Sequence, residues 1–167
     1  GLWLLQNISR TGDYFTVSLW CGTKYFIMDF TKGEILLINK PLHWSSFDVV
    51  KKIRKSIETK YKQKRIKVGH AGTLDPLATG LIIICTGNLT KKITKFQDYS
   101  KEYIATIKFG ATTPSFDLET DIDKEYNFNH LNEDLINDCL KDFTGEIYQT
   151  PPDYSAKFLN GVRAYKY

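Results

Sequence analysis

One short segment, residues 69–80, concentrates the residue types that could do chemistry. It holds three glycines together with His70 and Asp75, between two apolar stretches. Glycine permits a positive φ or a close backbone approach, and a carboxylate can act as a nucleophile or stabilise positive charge. The segment fits neither GxxxxGK[ST] nor GxGxxG, so it is not a phosphate loop or a dinucleotide fingerprint. Taken alone, Asp75 followed by proline is typical of a turn.

Charge is distributed unevenly along the chain. Residues 51–67 contain nine basic residues and a single acid, Glu58, whereas residues 117–142 contain nine carboxylates and only two lysines. A basic block of this kind is typical of a surface that meets a polyanion such as RNA. The alternative is a solvated helix face with no such partner.

Length and composition exclude several classes of protein. With 167 residues, 42% hydrophobic and 25% charged, the chain is expected to form one globular unit and not a disordered one. Its longest aliphatic run, residues 81–85, is far short of a membrane span. Three scattered cysteines without CxxC spacing predict no disulfide framework and no metal site, and they favour a reducing, cytoplasmic location.

The two ends of the chain carry separate signals. Met28 is the sole methionine and precedes the first clear strand pattern, so it is a candidate start. Residues 1–27 lack the blocks of a signal peptide and are interpreted as an extension of doubtful origin, either a short hairpin or translated upstream sequence. The chain ends at Tyr167 without a helix-stop signal, which predicts truncation. Residues 28–167 then form the folded part.

The periodicity of apolar residues predicts alternating strands and helices. Ser45 and Asp48 form a capping-box pattern, after which Phe47, Val50, Ile53 and Ile57 share one helical face. A second amphipathic helix runs from Leu131 to Phe143 and is closed by Gly145, and a third covers residues 90–96. Strands are predicted at residues 34–39, 65–68, 81–86, 102–109 and 146–149. This mixture predicts an α+β fold.

Five blocks of the sequence resemble, in order, the bacterial TruB family of tRNA pseudouridine synthases. The first block contains the apolar and lysine-proline stretch around Lys40, and the second is residues 69–81. The third contains Tyr103, the fourth covers residues 113–121 with Asp117, and the fifth begins at Pro151 and contains Lys157. The resemblance covers residues 28–167.

The resemblance implies both a fold and an activity. The fold is a pseudouridine synthase core, a mixed and mainly antiparallel sheet flanked by helices, with its later strands missing. The activity is an isomerase reaction that converts uridine 55 in the T-loop of tRNA to pseudouridine, with no cofactor and no metal. tRNA is the implied partner, and we expect a monomer that does not associate with membranes.

The resemblance also assigns roles to individual residues. Asp75 is the implied catalytic carboxylate, and Tyr103 stacks on the flipped uracil and assists removal of the C5 proton. The other residues implied to bind substrate or support the site are His70, Lys40, Asp117 and Lys157. Each also has a structural alternative: a core tyrosine, a loop histidine, a turn aspartate or a solvated lysine.

Two departures from the family pattern stand out. His43 occupies a position where glycine is more usual. Family members also continue into a Gly-Thr-Tyr-Ile-Arg type motif, whose arginine pairs with the catalytic aspartate, and into a C-terminal RNA-binding extension; neither lies within this sequence. Two other functions stay open: a non-catalytic module that binds or folds tRNA, and a synthase guided by a separate RNA.

Overall fold

The computed structural model describes residues 2–11, 14–20, 29–62, 64–149, 158–159 and 162–163, which fall into two compact units. The first unit spans Gly1–Glu102 and the second Tyr103–Tyr167. The described part of the first unit contains five strands, two α-helices and a short 3-10 helix. They are β1 (Leu2–Thr11), β2 (Tyr14–Trp20), β3 (Ile35–Lys40), α1 (Ser46–Tyr61), β4 (Val68–Ala71), β5 (Gly80–Thr86), the 3-10 helix (Gly87–Lys92) and α2 (Ile93–Gln97).

The five strands form one sheet in the order β2-β1-β3-β5-β4. All neighbours are antiparallel except β1 and β3, which run parallel. The predicted α+β class and the mixed, mainly antiparallel sheet are therefore confirmed. β1 and β2 pair antiparallel, which agrees with the short hairpin, one of the two alternatives considered for the start of the chain.

The core of the first unit lies between the central strands and α1. Ile38 of β3 and Ile84 of β5 are fully buried, and Val50, Ile53 and Ile57 of α1 pack in the same cluster. The run of aliphatic residues in β5 is typical of a central strand that is covered along most of its length. Strands predicted at residues 34–39 and 81–86 are thus confirmed to within one residue at each end.

The start of α1 follows the predicted capping box. The Ser45 hydroxyl accepts from the Asp48 amide at 3.1 Å, and the Asp48 carboxylate accepts from the Ser45 amide at 3.0 Å. Hydrogen bonds from the side chain and backbone of Ser45 lower the pKa of Asp48. The prediction for Phe47 was wrong, because Phe47 is exposed beneath the Lys51 ammonium, 4.7 Å from the ring centre, and Val49 is buried instead.

Two elements of the first unit differ from the periodicity. The strand predicted at residues 65–68 begins only at Val68, because Arg65 has a φ of 62°, which an extended strand does not allow. The helix predicted over residues 90–96 is divided between the 3-10 helix and α2. Both start and end within three residues of the prediction, so the connectivity is unchanged.

The second unit contains short elements in its described part. They are β6 (Ala111–Thr112), β7 (Lys124–Glu125), α3 (Glu133–Lys141), β8 (Phe158–Leu159) and β9 (Val162–Arg163). The Asn132 side chain caps α3 by accepting from the Leu135 amide at 2.9 Å, and Gly145 follows the helix with a φ of 85°. The predicted amphipathic helix is confirmed, although it is shorter at both ends.

Two predicted strands of the second region are absent. Residues 102–109 and 146–149 have no strand structure, and Tyr103, Ile104 and Ile107 are exposed. Alternation of apolar and polar residues indicates which side of a strand is buried, but a strand also requires a hydrogen-bonded neighbour. Among the residues that the structure describes, none pairs with either segment.

Candidate active site

The candidate site lies where two loops leave the same edge of the central strand pair. The register of β3 and β5 places Lys40 opposite Gly80. Residues 41–45 therefore leave β3 beside the point where residues 72–79 enter β5. The amide of His43 donates to the Pro76 carbonyl at 2.7 Å, which joins the two loops directly.

Lys40 is the buried centre of this arrangement. Its side chain is fully buried, and its ammonium group donates to the carbonyls of Pro41 at 3.0 Å, Trp44 at 2.6 Å and Pro76 at 3.4 Å. Burial lowers the pKa of Lys40, and the negative charge of Asp75 acts in the opposite direction. A lysine in this position costs desolvation energy, which the three carbonyl contacts offset. It joins both loops through one cation.

Asp75 is exposed, in contrast to the residues on either side of it. Its own carbonyl accepts from the Ala78 amide at 3.0 Å, which closes a turn over residues 75–78. The predicted turn is therefore present. The carboxylate is accessible to a ligand from solvent while the backbone that carries it is held by hydrogen bonds.

The peptide groups of Leu74, next to Asp75, are held by hydrogen bonds to Ser46. The Ser46 hydroxyl donates to the Leu74 carbonyl at 3.0 Å and accepts from the Leu74 amide at 2.9 Å. Leu74 and Trp44 also pack against the hydrophobic core. The sequence alone does not single out Ser46, because its partner Leu74 lies 28 residues away.

The backbone conformation of His43 explains why glycine would suit this position. Its φ is 64°, in the left-handed region, where a side chain adds steric cost and glycine does not. The amide that bonds to Pro76 belongs to this residue, so the left-handed conformation also serves the contact between the loops.

The other candidate residues fall in different places. His70 lies on β4, half-buried, with Nδ1 2.6 Å from the Gly72 carbonyl oxygen. Tyr103 and Asp117 belong to the second unit, and Lys157 lies outside the described residues. The structure thus brings together Lys40 and Asp75 in one loop cluster, with His70 in the same unit.

Asp117 organises its own loop. Its carboxylate accepts from the Ser115 hydroxyl at 2.6 Å and from the Glu119 amide at 2.8 Å, while its carbonyl accepts from the Thr113 hydroxyl at 2.6 Å. These are the contacts of a turn aspartate, the structural alternative. The Ser115 and Glu119 contacts both reach the same carboxylate oxygen, Oδ1.

Neither a membrane span nor a metal cluster is found within the described part of the chain. No helix there is long and apolar enough to cross a membrane. The same residues include no group of three or more His, Cys, Asp and Glu side chains that could hold a metal ion.

Asp75 presents an exposed carboxylate on a glycine-bounded loop, and the buried Lys40 anchors this loop to the mixed sheet. This arrangement defines a candidate enzyme site in an α+β fold. The family model described as TruB family pseudouridylate synthase (N terminal domain) matches residues 54–167. The chain therefore belongs to the TruB family.

Individual relatives agree with this family membership. The chain is 58% identical over 139 residues to tRNA pseudouridine synthase B of Parabacteroides distasonis, covering 83% of this chain and 59% of that protein. It is 56% identical over 138 residues to the protein of the same name from Phocaeicola vulgatus, with the same coverage. For the Flavobacterium johnsoniae protein the identity is 52% over 140 residues, covering 83% of this chain and 61% of the relative. The chain thus spans about three fifths of the length of these relatives.

Proposed function

We propose that the full-length protein is a tRNA pseudouridine synthase that isomerises uridine 55 of the T-loop, with Asp75 as the catalytic carboxylate. Family membership and the names of the relatives support the reaction class. The observation that carries the assignment of Asp75 is its exposure on a loop whose neighbouring peptide groups are bonded to buried side chains. A site needs this combination of an accessible reactive group and a fixed backbone.

The chemistry makes clear what the carboxylate must do. The bond between N1 of uracil and C1′ of ribose breaks, the base rotates, and a bond forms between C5 and C1′. The C5 proton is then removed, N1 is protonated, and the product has the same atoms as the substrate. A carboxylate next to the sugar can bond covalently to the electrophilic carbon or stabilise its positive charge. Asp75 is the group we assign to this step.

The basic stretch supports an RNA partner. The side chains of Lys51, Lys55 and Lys60 on α1 are exposed, as are those of Lys62, Lys64 and Arg65 after it. Arg54 is different, because its guanidinium donates to the Val68 carbonyl at 3.2 Å and so ties α1 to β4. We assign the exposed members to phosphate contacts, which give affinity without reading the sequence.

The remaining candidates complete the proposal. Tyr103 is 67% exposed, which suits a ring that stacks on an extruded base. His70 is assigned to the space left by that base or to a phosphate, and Asp117 and Lys157 to the surroundings of the substrate. We also infer a cytoplasmic monomer; the buried thiol of Cys85, whose pKa is raised by burial, and the free thiol of Cys139 are consistent with a reducing compartment.

The test is Asp75→Asn in the full-length protein. Asn retains the size and turn preference of Asp but lacks the negative charge, so only the chemical step is expected to fail. Single-turnover conversion of a T-loop transcript should fall by about a thousandfold or more, while the dissociation constant for tRNA stays within about threefold.

The matched control is Asp98→Asn, an exposed aspartate at the end of α2 in the same unit. It should convert the transcript at the wild-type rate. If Asp75→Asn stays within about tenfold of wild type, equivalent to about 1.4 kcal/mol in the barrier, the catalytic assignment is wrong. If the wild type binds tRNA but forms no pseudouridine, the non-catalytic tRNA-folding module replaces the proposal.

A further inference from the structure

Ser46 makes a contact that its own helix does not require. It is the first residue of α1 and is only 3% exposed, while the adjacent Ser45 provides the helix cap. The Ser46 hydroxyl is therefore available for a distant segment, and it bonds to both the amide and the carbonyl of Leu74. One hydroxyl satisfies both polar groups of a residue 28 positions away along the chain.

Leu74 immediately precedes Asp75, and the residue that follows is held in a similar way. The Pro76 carbonyl accepts from the Lys40 ammonium at 3.4 Å and from the His43 amide at 2.7 Å. The backbone is thus bonded on both sides of the exposed carboxylate. Lys40 supplies a charged contact on one side, and Ser46 supplies two neutral contacts on the other.

From this geometry we infer that Ser46 is a positioning residue for Asp75, acting through Leu74 to fix the direction in which the carboxylate points. The inference rests on the proposed function of Asp75. Ser46 does not touch the substrate and takes no proton. Its contribution is to keep the backbone of the loop in one position, and a displacement of about 1 Å at a reacting group can cost about a hundredfold in rate.

The experiment compares Ser46→Ala with Ser45→Ala in the full-length protein. Both variants lose one hydroxyl at the start of α1 and lower the melting temperature, but only Ser46→Ala releases Leu74. We expect Ser46→Ala to lower the single-turnover rate by about a hundredfold at an unchanged dissociation constant for tRNA. Ser45→Ala should keep the rate within about threefold. Ser46→Thr retains the hydroxyl and should recover most of the lost rate.

Failure of this inference is distinguishable from failure of the proposed function. If Ser46→Ala stays within about tenfold of wild type while Asp75→Asn is inactive, Ser46 has no positioning role and Asp75 keeps its assignment. If the two serine variants lose rate equally, the effect belongs to the helix and the inference is overturned. Should Ser46→Ala not fold, Ser46→Cys replaces it, since the thiol is a weaker donor and a weaker acceptor than the hydroxyl. A loss of about tenfold or more at constant affinity supports the inference, and a smaller loss overturns it.

Discussion

The two units of the chain differ in how their apolar residues are used. Among the residues whose burial the structure describes, all of the buried hydrophobic ones lie between Phe30 and Cys85, in the first unit. Residues 103–149 of the second unit include many large apolar side chains, among them Ile104, Phe116 and Phe143, and none of these residues is buried. Burial of apolar surface is the dominant favourable term in folding, so within the described residues only the first unit has a core. The candidate carboxylate loop is built onto that core.

Local structure nevertheless forms in both units. Asn132 caps α3 as Ser45 caps α1, because a capping side chain needs only the amides of the next turn. Strands require more. β5 is paired on both sides, whereas residues 102–109 have the alternation of a strand and no described partner. Helix caps thus depend on residues within one turn, whereas strands depend on segments that are distant in the sequence.

The largest expected effect comes from removing an isoleucine in each unit. Ile84 is fully buried in β5, whereas Ile104 is 97% exposed. In urea unfolding of the 167-residue chain, Ile84→Ala should lower the free energy of unfolding by about 2–5 kcal/mol. Ile104→Ala should change it by less than about 0.5 kcal/mol.

This pair of variants is matched in chemistry, because both delete the same atoms. An Ile104→Ala cost above about 2 kcal/mol would mean that the second unit buries a core of its own, and the contrast between the units would be wrong. Equal small losses of stability at both positions would instead mean that Ile84 is not part of a core in the first unit.

Charge offers a second contrast, with a smaller effect. Lys62, Lys64 and Arg65 are exposed in the basic segment of residues 51–67. Lys141, in the acidic segment of residues 117–142, instead pairs with Asp138 at 2.6 Å. Replacing the first three by Ala in the full-length protein should weaken tRNA binding by about tenfold to a hundredfold. The slope of log K against log salt should become shallower by about 0.7 to 0.9 for each phosphate that the protein no longer neutralises.

Lys141→Ala is the control and should leave both the affinity and the salt slope unchanged. The reduction in affinity should be similar for different tRNAs, since phosphate contacts carry no sequence information. A reduction confined to one tRNA, at an unchanged salt slope, would contradict the assignment to phosphates.

Much of the first unit could be predicted from the sequence. The capping box at Ser45 and the apolar runs of β3 and β5 depend on neighbouring residues, and each occurs within a residue of its predicted position. Two errors had different causes, an irregular backbone at Arg65 and a misjudged helix face at Phe47. Arg65 has a positive φ that no residue type in this segment signals, and Phe47 is on the solvent side of a helix start.

The candidate site was less predictable because its contacts are distant in sequence. The resemblance to the family singled out Lys40. It could not predict that Lys40 is completely buried, because this depends on carbonyls from two loops. Ser46 was missed because its partner is 28 residues away. The roles of Asp75, Tyr103 and Lys157 in the reaction stay predictions.

Amide hydrogen exchange in the substrate-free, full-length protein tests most directly whether the Asp75 loop is held in place before RNA binds. The Leu74 amide donates to the buried Ser46 hydroxyl, whereas neighbouring Thr73 is exposed. We predict a protection factor for Leu74 at least about a hundredfold above that of Thr73, and its loss in Ser46→Ala. If Leu74 exchanges within about threefold of Thr73 in the wild type, Ser46 does not hold the Asp75 loop in place before RNA binds.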